Sequence, residues 1–235
     1  MSSLVSTFAP RPGEALPARE RPRKALRLRR IDAKWLHGLA ARIVVDSNMA
    51  GGLVFAALRH GEGVTTIVCN LAERVAGEFN KRVILIDANL RTPALQDVYG
   101  LHGCPGLTEV LSGVATVREA IYGQRDGRIF VMPAGMAGRE DAALLCEETV
   151  PELLAQLRES FDVVLFDTEP LQPYPDATML ARHASGIILV VEAERSRWQD
   201  GEGILRNMRD SQVNVLGAVL NRRPFYIPNF IYRFL

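Results

Sequence analysis

The chain has 235 residues, 48% of them apolar and 23% charged, which suits one α/β domain with a substantial core plus tails. Its formal net charge of +1 gives no global pull toward nucleic acid or membrane. Cys69, Cys104 and Cys146 are unevenly spaced and unpaired with His60, His102 or His183, arguing against both disulfides and zinc.

Charge is nevertheless uneven. Eight Lys or Arg against Glu14 and Glu20 give residues 1–30 a net +6 and leave −5 for the remainder. With Pro10, Pro12, Pro17 and Pro22 and few large apolar side chains before Leu26, this arm is expected to be disordered to about residue 24. A basic arm can hold anionic lipid headgroups, nucleic acid or an acidic patch on a partner, and a plain solvated linker has the same composition. Residues 31–222 then read as the folded part and 223–235 as an apolar, aromatic tail.

Ile31–Ser47, with Trp35, Leu36, Leu39, Ile43 and Val44 near helical spacing, predicts an amphipathic helix whose Trp35 belongs in the core. Leu53–Leu58 reads as a buried strand, and Thr66–Ala76 as a helix. Between them, Arg59-His60-Gly61-Glu62-Gly63-Val64-Thr65-Thr66 has the outline of a phosphate-binding loop, in which backbone N–H groups and a helix N-terminus converge on phosphate. Gly61 and Gly63 permit the backbone geometry, and Thr65 is placed to coordinate Mg²⁺. Val64, however, stands where the loop's lysine belongs, and Leu58 where a further glycine would be. A Gly-containing turn between strand and helix shares this outline, so the loop alone leaves both readings open.

Arg82–Arg91 predicts a second buried strand ending in Asp87, and Asp162–Pro170 a third ending in Asp167. Strand-terminal Asp residues commonly cap helices or form turns. Two of them behind a P-loop-like turn instead suggest carboxylates at the ligand end of a parallel sheet, where they can hold Mg²⁺. The remaining pattern predicts short helices at Pro93–Tyr99 and Val117–Tyr122, a strand at Arg128–Met132 and a long helix at Ala142–Ser160. It continues with a helix at Asp176–His183, a strand at Gly186–Glu192, a helix at Asp200–Asp210 and a strand at Val213–Asn221. The expected fold class is α/β, a single domain with a mainly parallel, doubly wound sheet. No apolar run approaches the roughly 18 residues that span a bilayer, and the N-terminus lacks signal-peptide order, so a cytoplasmic protein is expected.

The loop at 61–66, the strand Val83–Arg91, Gly106–Gly113, Val131–Gly135, Phe161–Thr168 and Asn214–Arg222 together resemble the bacterial tyrosine kinases of capsule and exopolysaccharide clusters, within the MinD/ParA class of P-loop ATPases. The resemblance spans roughly residues 50–222. It implies a P-loop NTPase fold binding ATP or ADP with Mg²⁺. Gly61, Glu62, Gly63, Val64, Thr65 and Thr66 correspond to the Walker A loop, Asp87 to the first Walker A′ carboxylate and Asp167 to the Walker B carboxylate. Asn221 matches an asparagine near the adenine base, and Arg59 the signature lysine that reaches phosphate across a dimer. Three residues depart from the family: Val64 for the lysine, Asn89 for the second Walker A′ aspartate and Glu169 for a proline.

What the resemblance implies for function divides three ways. The first is a degenerate kinase-like regulator of polysaccharide synthesis and export, docked to a membrane polysaccharide co-polymerase at the inner face of the cell membrane and capable of homo-oligomerising. The second is an active autokinase in which Asp87 activates a tyrosine, Thr65, Asp87 and Asp167 hold Mg²⁺, and Arg59 supplies charge. The third, a ParA-like ATPase on DNA, fits the arm but not Gly106–Gly113 or Val131–Gly135, so nucleic acid is disfavoured. The family's tyrosine cluster is reduced here to Tyr226 and Tyr232, the candidate phosphoacceptors, in a tail whose apolar composition suits docking to a partner and equally packing on its own domain.

Overall fold

The computed structural model describes residues 31, 34–46, 49, 51–124, 127–136, 141–146, 149–193 and 198–222. The basic arm and the tail with Tyr226 and Tyr232 therefore lie outside the described residues. The elements in chain order are α1 (Lys34–Val45), β1 (Leu53–Ala57), α2 (Val64–Phe79), β2 (Val83–Ala88), α3 (Leu95–Tyr99), α4 (Leu107–Leu111), β3 (Tyr122–Gly123) and β4 (Ile129–Met132). A 3₁₀ turn (Asp141–Cys146) leads to α5 (Thr149–Ser160), β5 (Val163–Thr168), α6 (Asp176–Ala181), β6 (Gly186–Glu192), α7 (Trp198–Asp210) and β7 (Val215–Asn221).

All seven strands lie in one sheet of order β3-β4-β2-β5-β1-β6-β7, parallel throughout except for the antiparallel β3–β4 edge. Every residue of β1, β2 and β5 is buried, the signature of strands covered on both faces. Because successive side chains alternate faces, each strand feeds two hydrophobic clusters. Leu53, Phe55, Leu85 and Leu165 pack with Leu36, Ala40 and Ile43 of α1 and Ile67, Leu71 and Val75 of α2. Val54, Ile84, Val164 and Phe166 pack with Leu107 of α4, Leu153 and Leu157 of α5, Leu180 of α6 and Met208 of α7. The result is the doubly wound α/β sheet that alternating apolar runs predict.

Three local expectations are corrected. The helix expected at Val117–Tyr122 is a turn followed by β3, because Tyr122 and Gly123 pair with Val131 and Phe130 of β4. The single helix expected over Ala142–Ser160 is a 3₁₀ turn and then α5. Pro151 explains the division: inside a longer helix its ring would clash with the preceding turn, whereas in the first turn of α5 its missing N–H costs nothing. Trp35, expected in the core, is 41% exposed, while Leu36, Ala40 and Ile43 form the buried stripe of α1.

Candidate nucleotide site

The phosphate loop runs from the end of β1 to the start of α2 and is braced from within. The Glu62 side chain is completely buried, and its Oε2 accepts the backbone N–H groups of Leu58 (2.8 Å) and Arg59 (3.1 Å), closing the loop on itself. From the last residue of β7, Asn221 Nδ2 donates to the Glu62 carbonyl (2.8 Å), while its Oδ1 accepts the Arg222 N–H (2.9 Å). Gly63 caps α2 in the left-handed region at φ 96°, and a Cβ there would stand 2.5 Å from Asn221 Nδ2, so glycine is required on two counts. No side chain caps this 16-residue helix and its first turn holds no acid, leaving the N–H groups that lack intrahelical acceptors facing the loop.

Val64 opens α2 and is 8% exposed, joining the cluster on the α1/α2 face instead of presenting a charge. Thr65 and Thr66 are half-buried beside it, and Arg59, His60 and Gly61 are exposed on the loop.

Asp87 and Asp167 are partners in register on the neighbouring strands β2 and β5. Both have the parity of Leu85 and Leu165 and so turn to the α2 face. Their environments differ. Asp87, fully buried, accepts Ala94 N–H (2.9 Å) and Leu95 N–H (2.8 Å) on Oδ2 and Asn89 N–H (3.2 Å) on Oδ1. Burial pushes its carboxyl up to about 7 despite these three donors and with help from the charge of Glu169. Asp167, 1% exposed, has no hydrogen-bond partner on either oxygen. Burial, then the Asp87 charge, hold its carboxyl well above the usual range, and the nearby Thr65 hydroxyl relieves it only in part.

A second polar layer joins the loops after β2 and β5, and sequence reasoning missed it. Glu169, 4% exposed, accepts the Arg91 N–H (3.1 Å), and burial raises its carboxyl in spite of the Arg91 charge. Arg91 Nε donates to Asp176 Oδ2 (3.2 Å), and the guanidinium lies 4.0 Å above the Tyr174 ring. Asn89 Oδ1 accepts the Thr92 N–H (2.9 Å) and hydroxyl (3.1 Å), the work of a turn former. Glu169 is conspicuous in sequence only as a departure from proline; its bond to Arg91 crosses 78 positions and leaves no local pattern.

The segments Gly106–Gly113 and Val131–Gly135 form a clasp at the same end of the sheet. Glu109 accepts Gly106 N–H (2.8 Å) and Met136 N–H (2.9 Å), while Leu107 and Thr108 donate to the Pro133 and Ala134 carbonyls (2.8 and 3.0 Å). Burial alone would raise Glu109, but these donors hold it below the usual carboxylate range. Gly135, at φ 88°, has no room for a Cβ against that carboxylate.

An orphaned buried carboxylate, an adjacent hydroxyl and an uncapped helix N-terminus fit a Mg²⁺-bound phosphate, with Thr65 and Asp167 as the residues that would hold the ion. The Val64 side chain does not fit, since it offers no donor to the phosphate.

No protein-family model matches the chain. It is 29% identical over 177 residues to the tyrosine-protein kinase YwqD of Bacillus subtilis, covering 75% of this chain and 74% of that one. It is 30% identical over 171 residues to the tyrosine-protein kinase CpsD of Streptococcus agalactiae, covering 72% and 73%. The chain belongs to the bacterial tyrosine-protein kinases. Within that family it spans only 21% of the length of the putative tyrosine-protein kinase EpsB of Ralstonia solanacearum, at 29% identity over 68% of this chain. Among solved structures the VpsO kinase domain superposes with a TM-score of 0.72 at 27% identity, covering 81% of this chain and 96% of that domain. The septum site-determining protein MinD of Pyrococcus horikoshii, solved with Mg-ADP, shares the fold (TM-score 0.61, 24% identity, 77% and 75% covered). These likenesses establish a kinase-family chain on a MinD-like P-loop fold. Among the described residues no helix is long and apolar enough to cross a membrane.

Proposed function

We propose that this chain is a degenerate tyrosine-kinase-like protein that holds a nucleotide without efficient turnover and regulates exopolysaccharide or capsule synthesis and export. It does so by docking to a membrane polysaccharide co-polymerase at the inner face of the cell membrane. One observation carries the reading: a buried valine occupies the place of the phosphate-gripping cation, in a loop that is otherwise braced and open to an anion. Losing a hydrogen bond to a charged group costs about 1.5–3 kcal/mol of binding, and transition-state charge stabilisation suffers more.

In this reading the backbone of residues 61–66 cradles the phosphates, and Thr65 and Asp167 hold Mg²⁺, which when bound would neutralise phosphate charge. Asp87 braces the loop after β2 through its three amide bonds, Asn221 supports the Walker loop, and Arg59 adds charge at the rim. Membrane, partner and self-association contacts are assigned to the basic arm and the aromatic tail.

The second reading, an active autokinase with Asp87 as the group that activates Tyr226 or Tyr232, draws on the kinase names of the relatives. Complementation separates the two. In a strain lacking this protein, a Tyr226→Phe/Tyr232→Phe double variant should restore polysaccharide yield and chain length as well as the natural chain does. Failure of the double variant, with the protein present at normal level, favours the autokinase.

A further inference from the structure

We propose that Glu169 and Arg91 form a latch that locks the loop after β2 to the loop after β5, so that the two loops beside the strand-end carboxylates move as one body and keep one arrangement whether or not nucleotide is held. The latch stands on the chain's own contacts and goes beyond the nucleotide-holding reading, which its test judges separately.

The two loops are joined from both sides. From the loop after β5, the buried Glu169 side chain reaches across to accept the Arg91 N–H (3.1 Å). From the loop after β2, the Arg91 side chain reaches back: its Nε donates to Asp176 (3.2 Å) in the first turn of α6, and its guanidinium lies 4.0 Å above the Tyr174 ring. Both ends are anchored. Asp176 is buried, and Ala177, Leu180 and Ala181 behind it pack into the core. Residues 89–95 are held on the strand side by the three amide bonds to Asp87. The Arg91 and Asp176 side chains are 18 and 9% exposed, so water competes little for their bond, whereas a pair of this geometry in open solvent would hold next to nothing. Removing either partner leaves the other buried without its bond.

The stitching continues to the phosphate loop. Leu171 N–H donates to the Ala57 carbonyl at the end of β1 (2.9 Å), and the next residue, Leu58, donates its own N–H to Glu62 (2.8 Å). One line of bonds therefore runs from the loop after β2, through Glu169 and the loop after β5, to the phosphate loop. The Glu169 link needs no charge, because a carboxyl accepts an N–H on its carbonyl oxygen when protonated as well as when ionised. It does need that side chain: the proline that the family resemblance places at 169 has no side-chain acceptor, and with it the crossing bond cannot form. A nucleotide shifts a protein between arrangements only by binding them unequally. With the loops latched there is one arrangement to bind, and a partner docking on them meets the same face with ATP, with ADP or with neither.

The test is amide hydrogen exchange on the purified full chain, alone and with magnesium plus ATP or ADP, repeated on Glu169→Ala, Glu169→Gln and Arg91→Ala. In the natural chain, exchange over residues 89–95 and 171–176 should differ by less than about fivefold among the three solutions, a factor equal to one ordinary hydrogen bond. Glu169→Ala should speed exchange in both loops by more than that factor, and Glu169→Gln, which keeps an acceptor oxygen, should not. Arg91→Ala keeps the backbone N–H that Glu169 accepts, yet it should speed residues 171–176 by more than about fivefold, because the loosening crosses to the other loop. Loosening confined to the loop that carries the substitution, equal exchange in Glu169→Ala and Glu169→Gln, or a change above about fivefold in the natural chain when ATP replaces ADP would overturn the latch. Residues 61–66 judge the nucleotide-holding reading in the same data: protection there on adding nucleotide supports it, and no protection overturns it while the variants still decide the latch. Should Arg91→Ala fail to fold, the two Glu169 variants decide.

Discussion

Asp87 and Asp167 sit side by side in register, each at the end of an apolar strand, yet one is anchored by three backbone amides and the other by none. The difference lies in the path the chain takes beyond each strand. After β2 the chain turns back through residues 89–95 so that its amides point at Asp87, which thereby caps the short helix α3. After β5 the chain leaves toward α6, and it is Glu169, not Asp167, that reaches the amide of Arg91. Two carboxylates with the same sequence signature thus divide into a structural brace and a buried group that accepts no hydrogen bond.

Replacing each carboxylate should sharpen that contrast, with opposite signs. Asp87→Ala leaves three amides without acceptors and should destabilise the fold by about 3 kcal/mol in chemical denaturation. Asp167→Asn removes a buried, unpartnered carboxyl that is costly to ionise and should stabilise the ligand-free protein by about 1–2 kcal/mol at pH 8, a gain that shrinks as pH is lowered. If Asp167→Asn proved as damaging as Asp87→Ala, the division of roles would be wrong. At the β4 clasp, Glu109→Ala deprives Gly106 and Met136 of their acceptor and should cost about 1 kcal/mol, the ordinary value of a lost cap, with nucleotide affinity unchanged.

The same carboxylates set a pH dependence. A carboxyl raised from 3.8 to about 7 by folding holds its proton in the native state while the unfolded chain has lost it. Stability of the ligand-free protein therefore falls as pH rises through that window, and the loss is complete above about 7. Asp167 and Glu169, shifted in the same direction, add to it. A melting temperature higher at pH 5.5 than at pH 8 by about 2 °C or more is expected, and a flat or inverted profile would mean these groups are ionised in the fold.

Much of the fold is legible in the sequence because local chemistry and tertiary fate agree. Uninterrupted apolar runs can be satisfied only in a sheet covered on both faces, and the strand expected at Gly186–Glu192 is β6 with those bounds. The features that escape are non-local or too short to show a period. The two-residue β3 exists through its pairing with β4. The division at Pro151 is signalled by the proline itself, but the apolar spacing on either side of it reads as one continuous helix. Trp35 lies at the spacing of the buried stripe yet faces out, since Leu36, one position on, takes the inward direction. In the site, the loop, its missing cation and the two strand-end carboxylates are readable from residue order. That Glu62 braces the loop, that Asp87 caps and that Glu169 ties together the loops after β2 and β5 are facts of hydrogen bonding that residue order does not encode.

The most direct trial of the account is incubation of the natural chain and Val64→Lys with γ-labelled ATP and magnesium, reading phosphotyrosine on the protein over time. The account predicts no appreciable label on the natural chain and a clear rise in Val64→Lys. Rapid phosphotyrosine formation by the natural chain, abolished in Tyr226→Phe/Tyr232→Phe, would contradict it.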